Sequence, residues 1–309
     1  DHGIFASAVA AGPTGPAGYF AGGTTTAGRI TTVDRFSFAD DSRFTLATGL
    51  SAGRTNLNCG PMASSVAGYA AGGTNVAGAK VDIVDRLLFD GDTMTTLGTG
   101  LSRTVNRPGS CASSVAGYIG GGFEDAGNTA VVDRILFADD TRTTLGTGLS
   151  AATEQPAGMA SSVAGYFGGG YVSGRVDTVD RFLFSDDSRT TLGTGLSSDR
   201  LGAAGMASSV AGYIAGGTVR PAGTTYAVDT VDRFLFSNDS RTTLGTGLSA
   251  AVNSFAGMAS TTSGYFGGGY ETVTTVDKFL FSNDSRTTLG TGLSAGTYAL
   301  AGFANPVEE

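Results

Sequence analysis

The sequence predicts an all-β fold, a six-bladed β-propeller of four-stranded antiparallel blades, as a single domain over residues 1–309. Three recurring landmarks predict it. Gly-Tyr dipeptides place Tyr19, Tyr69, Tyr118, Tyr166, Tyr213 and Tyr265 at spacings of 50, 49, 48, 47 and 52 residues. Val-Asp-Arg/Lys follows each of them, at Asp34-Arg35, Asp85-Arg86, Asp133-Arg134, Asp180-Arg181, Asp232-Arg233 and Asp277-Lys278. Thr-Gly-Leu-Ser comes third, with Leu50, Leu101, Leu149, Leu196, Leu248 and Leu293. A period of roughly 40–50 residues holding four strand-like segments is the pattern of propeller blades.

The repeat at 205–249 shows the elements in order. Small residues at 206–210 make an innermost strand A, suited to the crowded axis of the ring. A turn at Ala211-Gly212 leads to strand B at 213–217. Strand C, at 230–236, alternates Asp232, Phe234 and Phe236 with Val231, Arg233 and Leu235. Two largely apolar faces are what a sheet packed between two neighbouring sheets requires. The polar turn 237–240 returns the chain into strand D, at 242–248. No helical or heptad period appears.

The ring is expected to close by terminal strand exchange. Residues 300–304 match 255–259, so the chain ends by beginning a seventh strand A. In the first repeat that strand is interrupted by Pro13, Gly15 and Pro16, and the C-terminal segment supplies it; residues 4–10 are the competing segment.

Composition narrows the function. Net charge is −8, against nucleic acid and anionic membrane surfaces as partners. No apolar run approaches the ~20 residues that span a bilayer. A start at Asp1 suits a processed product. Cys59 and Cys111 stand at different repeat positions and read as two small, partly buried thiols. With His2 the lone histidine, neither a Ser-His-Asp or Cys-His arrangement nor a multi-histidine metal site can be assembled, and no cofactor or metal is expected.

Hydrophobic residues running into Gly-Gly (Gly22-Gly23, Gly72-Gly73, Gly121-Gly122, Gly169-Gly170, Gly216-Gly217, Gly268-Gly269) resemble the kelch signature over nearly the whole chain. Leu46, Leu97, Leu145, Leu192, Leu244 and Leu289 stand where kelch repeats usually carry Trp. The near-identical copies are most similar to kelch-type arrays in tail-fibre and other virion proteins of marine bacteriophages. That resemblance implies a structural or adhesion protein, extracellular or on a virion surface, with carbohydrate binding among its roles. The C–D turn is similar to the Asp-box of sialidase propellers. It keeps Asp187 and Thr191 but lacks the Gly and the aromatic, and an Asp-box stabilises a fold without catalysing anything.

The Val-Asp-Arg/Lys residues occur in every blade and read as structural inter-blade pairs. The paired acids Asp40-Asp41, Asp139-Asp140 and Asp186-Asp187 read as solvated turn side chains. In an A-B-C-D blade the A–B and C–D turns share one face, and here they are nearly constant. The opposite face is individual: the B–C loops (24–32, 74–83, 123–131, 171–178, 218–230, 270–275) and D–A loops (54–60, 103–110, 199–204) differ in length and composition. A specific site needs such asymmetry on a rigid scaffold. Its candidate binding residues are Phe123, Tyr171, Arg175, Arg220, Tyr226, Tyr270 and Glu271, aromatic planes beside hydrogen-bonding side chains that suit a sugar ring or a protein.

The expected function is therefore a non-enzymatic structural or attachment propeller on a virion, fibre or cell surface. It would bind a glycan or protein partner, other virion or fibre subunits included, through the variable face. A soluble secreted lectin-like binder is the alternative. A glycan-active enzyme comes third, either a sialidase-like hydrolase resting on loop arginines such as Arg54, Arg103, Arg107, Arg200 and Arg220, or a lyase or glycosidase using two carboxylates.

Overall fold

The computed structural model describes residues 15–305. Six antiparallel blades surround one axis, each packed on the next. Blade 4 is representative: strands A to D run Ala157–Ala160, Ala164–Gly168, Val179–Leu183 and Arg189–Thr191 in that spatial order. Strand B is buried on both faces, as a strand inside a sheet sandwiched by two others must be.

Two local expectations shift. In blade 5 the inner strands are Ala204–Ala207 and Ala211–Ala215, about two residues earlier than the sequence suggested. The turn between them is at Ser208 and not at Ala211-Gly212, because the Ser208 hydroxyl accepts from the N–H groups of Val210 (3.2 Å) and Ala211 (3.0 Å). Strand D likewise stops early, at Thr243. In blade 2 only three strands are regular (Ala67–Ala71, Val84–Leu88, Thr93–Thr96). Its innermost position is held by an irregular segment, pinned by an Ala63–Gly68 bridge and a Tyr69 N–H to Met62 carbonyl bond. Pro61 has no N–H to offer a ladder, and Gly60 beside it sits at φ +147°.

The inner strands touch backbone to backbone. A Cβ on Gly158 would overlap the Ser110 carbonyl oxygen, and Gly205, Gly257 and Gly302 meet the preceding blade's glycine in the same way. A second glycine, in Gly-Tyr, is required by side-chain packing. Gly117, Gly212, Gly264 and Gly18 lie under Met62, Met159, Met206 and Met258 of the preceding blade. Cys111 takes the methionine's place over Gly165, and Phe303 takes it over Gly68.

Closure uses the C-terminus. Ala301–Asn305 pairs antiparallel with Ala17–Ala21, with Phe303 opposite Tyr19, and supplies strand A of blade 1. The competing segment at 4–10 and His2 lie outside the described residues.

Each blade is latched to the next by one aspartate of the C–D turn. Asp92, Asp140, Asp187, Asp239, Asp284 and Asp41 all adopt left-handed φ values of 48–58°. Each accepts the hydroxyl of the preceding blade's Gly-Tyr tyrosine at 2.7–3.1 Å. Each also faces that blade's Arg35, Arg86, Arg134, Arg181, Arg233 or Lys278. The tyrosine ring meanwhile stacks on the Phe that opens the same turn, at 5.1–5.5 Å. The second acid of each pair is thus a latch and not a solvated side chain. Only the first acid is solvated: Asp40 binds Ser42, Asp139 binds Thr141 and Asp186 binds Ser188 within the turn.

The aspartate of Val-Asp-Arg/Lys does not pair with its sequence neighbour, since adjacent strand residues point to opposite faces. One carboxylate oxygen of Asp34, Asp85, Asp133, Asp180, Asp232 or Asp277 accepts the Ser N–H and hydroxyl of the preceding blade's Thr-Gly-Leu-Ser, at 2.7–2.9 Å. The other oxygen accepts a strand D threonine at 2.6–2.7 Å. In blades 2, 3 and 5 a loop arginine joins from the preceding blade: Arg54 on Asp85, Arg103 on Asp133, Arg200 on Asp232. These three arginines are structural and leave the variable face without them.

Three outcomes follow from this architecture. Removing 301–305 should expose the edge of blade 1, lower the melting temperature and promote aggregation; a melting curve like the parent's would contradict closure. Asp85→Ala strands the fully buried Arg54 and should cost about 3–5 kcal/mol in urea denaturation. Asp180→Ala strands only hydroxyls, an N–H and the half-exposed Arg189, and should cost about 1–3 kcal/mol.

The latch tyrosines supply a fourth outcome. Burial, then the neighbouring aspartate, raises all six above the ordinary 10.0, Tyr213 to about 12 and the others further. A pKa raised by folding gives stability that is whole below pH 10 and is lost as pH climbs past 12. Ultraviolet titration should show these phenols ionising together with unfolding. Ionisation of all six in a still-folded ring would contradict the latch.

Candidate functional site

The variable face is built from the Gly-Gly pairs upward. Both glycines are left-handed, with φ of 59–77° at the first and 94–139° at the second, a conformation closed to most L-residues twice in succession. The first N–H reaches the residue before strand C, for example Gly169 to Thr178 at 2.9 Å. The second tethers the D–A loop that leads to the next blade: Gly23 to Arg54, Gly73 to Val105, Gly122 to Thr153, Gly170 to Arg200, Gly217 to Val252 and Gly269 to Thr297.

Two residues beyond each tether the chain turns left-handed again, at Asn56, Arg107, Gln155, Gly202, Ser254 and Ala299, with φ of 53–75°. The N–H of each donates to the carbonyl of its counterpart in the preceding blade at five of these six junctions, over 2.6–2.9 Å. The result is a collar of backbone around the axis, carrying six different side chains at one equivalent position. A second tier lies outside it. The residue following Gly-Gly (Thr24, Thr74, Phe123, Tyr171, Thr218 or Tyr270) pairs with the residue preceding a collar position, as in Tyr171 with Glu154 and Tyr270 with Asn253.

The collar floors an axial funnel of about 810 Å³. Its walls are asymmetric. Tyr270 meets Tyr298 edge to face at 5.7 Å, while Arg29 and Arg107 supply cationic groups. Arg107 is ion-paired to Glu154; Arg29 donates to the Val76 carbonyl at 3.3 Å. A second concavity of about 590 Å³ lies at the rim between blades 4 and 5. It brings together Tyr171, Arg175, Arg220 and Tyr226. Arg175 is held by the hydroxyls of Thr218 (3.2 and 3.1 Å) and Thr225 (3.4 Å), and its pKa is lowered by burial and by the nearby Arg220 charge.

Five of the seven sequence candidates therefore line a concavity, four at the rim and Tyr270 in the funnel. Phe123 and Glu271 line neither. Phe123 lies under the Lys80 ammonium, 4.7 Å from its ring centre, and Lys80 is also paired with Asp125. Glu271 is exposed at φ +72°. The collar residues were missed as a set. A signal for five of them exists: each stands four residues before the Met, Cys or Phe of the next strand A. In blade 2 the offset is six, matching its irregular inner segment.

The opposite face is uniform. Val66, Val115, Val163 and Val210 stand 58–63% exposed on equivalent A–B turns. Among the described residues no cluster of His, Cys, Asp or Glu could hold a metal ion. Cys59 and Cys111 are free and buried, and burial pushes the Cys59 thiol up to about 12 and that of Cys111 higher.

No protein-family model and no curated sequence matches the chain. Among solved structures, that of YjhT is similar, with a TM-score of 0.70 and 14% identity over 89% of this chain and 98% of that one. At that identity the likeness shows the propeller fold.

Neither thiol should react with Ellman's reagent in the native protein, and both should react in denaturant, since the thiolate is the reactive form. Modification of Cys59 or Cys111 under native conditions would place it at an opening to the surface.

Proposed function

We propose that this protein is a non-enzymatic attachment or structural propeller of kelch type, acting on the outside of a virion, fibre or cell. It binds a glycan or protein partner through the variable face. One observation carries the reading: six equivalent collar positions hold six different side chains, whereas the opposite face repeats one latch six times. Identical positions suit construction, and different ones suit recognition of a single asymmetric partner.

A glycan-active hydrolase finds less support. Two carboxylates flanking a bond are the usual equipment for glycoside cleavage. Among the described residues, Asp199, at the rim, is the one acidic residue lining either concavity. Arg54, Arg103 and Arg200 are committed to neighbouring blades. A soluble lectin-like binder would use the same face and differ only in location.

Co-sedimentation with native particles or filaments tests location, and a protein found only as a free monomer would count against the structural reading. Tyr270→Ala, in the funnel, and Tyr171→Ala, at the rim, should each weaken attachment by about 1–3 kcal/mol with the fold intact. Asp187→Ala, on the uniform face, removes the partner of the buried Tyr118 hydroxyl. It should lower stability by about 1–3 kcal/mol and spare binding. The reverse pattern would make the uniform face the interface.

A further inference from the structure

Among the described residues, every Lys and Arg except three lies in an ion pair with an Asp or Glu. In a chain of net charge −8, with 27 acids for 19 bases, unpaired cations are not explained by a shortage of partners. The three are Arg29, Arg175 and Arg220. All three line concavities of the variable face, and two share the rim concavity.

The chemistry of that concavity is specific. Arg175 is half-buried and its hydrogen bonds go to neutral hydroxyls, with Nη1 left without a partner among the described residues. Arg220 donates from Nε to the Gly223 carbonyl at 3.2 Å, and neither terminal nitrogen has a partner among the described residues. Two guanidinium groups near enough to repel are stabilised together by one anion placed between them, and the planar fork of each matches a carboxylate or sulfate. Tyr171 and Tyr226 add aromatic faces, the latter 51% exposed. Asp199, exposed on the same lining, accepts a hydroxyl and repels a second negative charge.

We infer that the rim concavity between blades 4 and 5 is a subsite for an anionic sugar, a pyranose bearing a carboxylate or a sulfate ester. The anionic group sits between Arg175 and Arg220, the ring lies against the tyrosines, and a sugar hydroxyl donates to Asp199. An acidic peptide is disfavoured, because its successive carboxylates would meet Asp199. The inference rests on the variable face being the binding face, and it adds the charge class of the ligand.

The test is calorimetric titration of the whole chain with galacturonic acid, with a monosulfated galactose, and with their methyl-esterified and desulfated counterparts. Inorganic sulfate and a poly-glutamate peptide complete the set. One or both acidic sugars should bind, with a preference that separates carboxylate from sulfate. The neutral counterpart should bind about tenfold more weakly or worse, as should Arg175→Ala or Arg220→Ala against the acidic sugar. The melting temperature should be unchanged in Arg220→Ala, whose side chain is exposed. Affinity should also fall with added salt. Absence of binding to either acidic sugar would overturn the inference. So would equal binding of the neutral form, retained affinity in both arginine variants, or tighter binding of poly-glutamate. Attachment that depends on Tyr270 but not on the two arginines would preserve the variable-face reading and sink this one alone.

Discussion

Much of this molecule depends on a carboxylate held in a left-handed turn. Asp92 and its five counterparts project from the C–D hairpin only because φ near +50° turns the chain sharply, and aspartate tolerates that conformation better than most residues. Each then satisfies a buried tyrosine hydroxyl and a basic side chain of the blade before it. The geometry joins neighbours without regard to which blade is which. Being the same at all six junctions, it turns a row of sheets into a ring.

The glycines complete that logic on the other face. Each Gly-Gly pair commits its second N–H to the loop leading to the following blade, so a loop is held at one end by its own sheet and near its other end by a neighbour. The collar backbone is therefore the same at each blade while its side chains are free to differ. Asn56, Gln155 and Gly202 occupy one geometric address with three different chemistries. The ring gives rigidity to a surface that has to be irregular.

The architecture was legible because the landmarks are backbone requirements. Gly-Gly marks a doubly left-handed turn, Gly-Tyr a close approach under a methionine or its substitute, and Thr-Gly-Leu-Ser the loop that caps the next blade's aspartate. The C-terminal closure was legible for the same reason, through the likeness of 300–304 to 255–259. Partner assignments were not. Asp180 and Arg181 are adjacent in sequence and point to opposite faces, so each finds its partner some 30 to 60 residues away, in Ser150 and Asp239. Loop aromatics were recognised by type, which gathered Tyr171 and Tyr226 correctly but also took in Phe123, a ring already covered by Lys80. The collar has no residue type in common, and only its spacing from strand A betrays it.

Phe303 has a consequence for how the chain is made. The segments Ala157–Ala160, Ala204–Ala207 and Ala256–Ala259 all read Ala-Gly-Met-Ala, and the closing strand begins Ala-Gly-Phe-Ala. As synthesis proceeds, the open edge at Ala17–Ala21 meets these three near-copies before its proper mate emerges. A mispaired inner strand would give a ring with too few blades, or a chain that borrows its last strand from a neighbour. The phenylalanine stacks on Tyr19 at 5.6 Å and covers Gly68, in the place where the near-copies would bring a methionine. One aromatic side chain thus distinguishes the closing strand from its three near-copies.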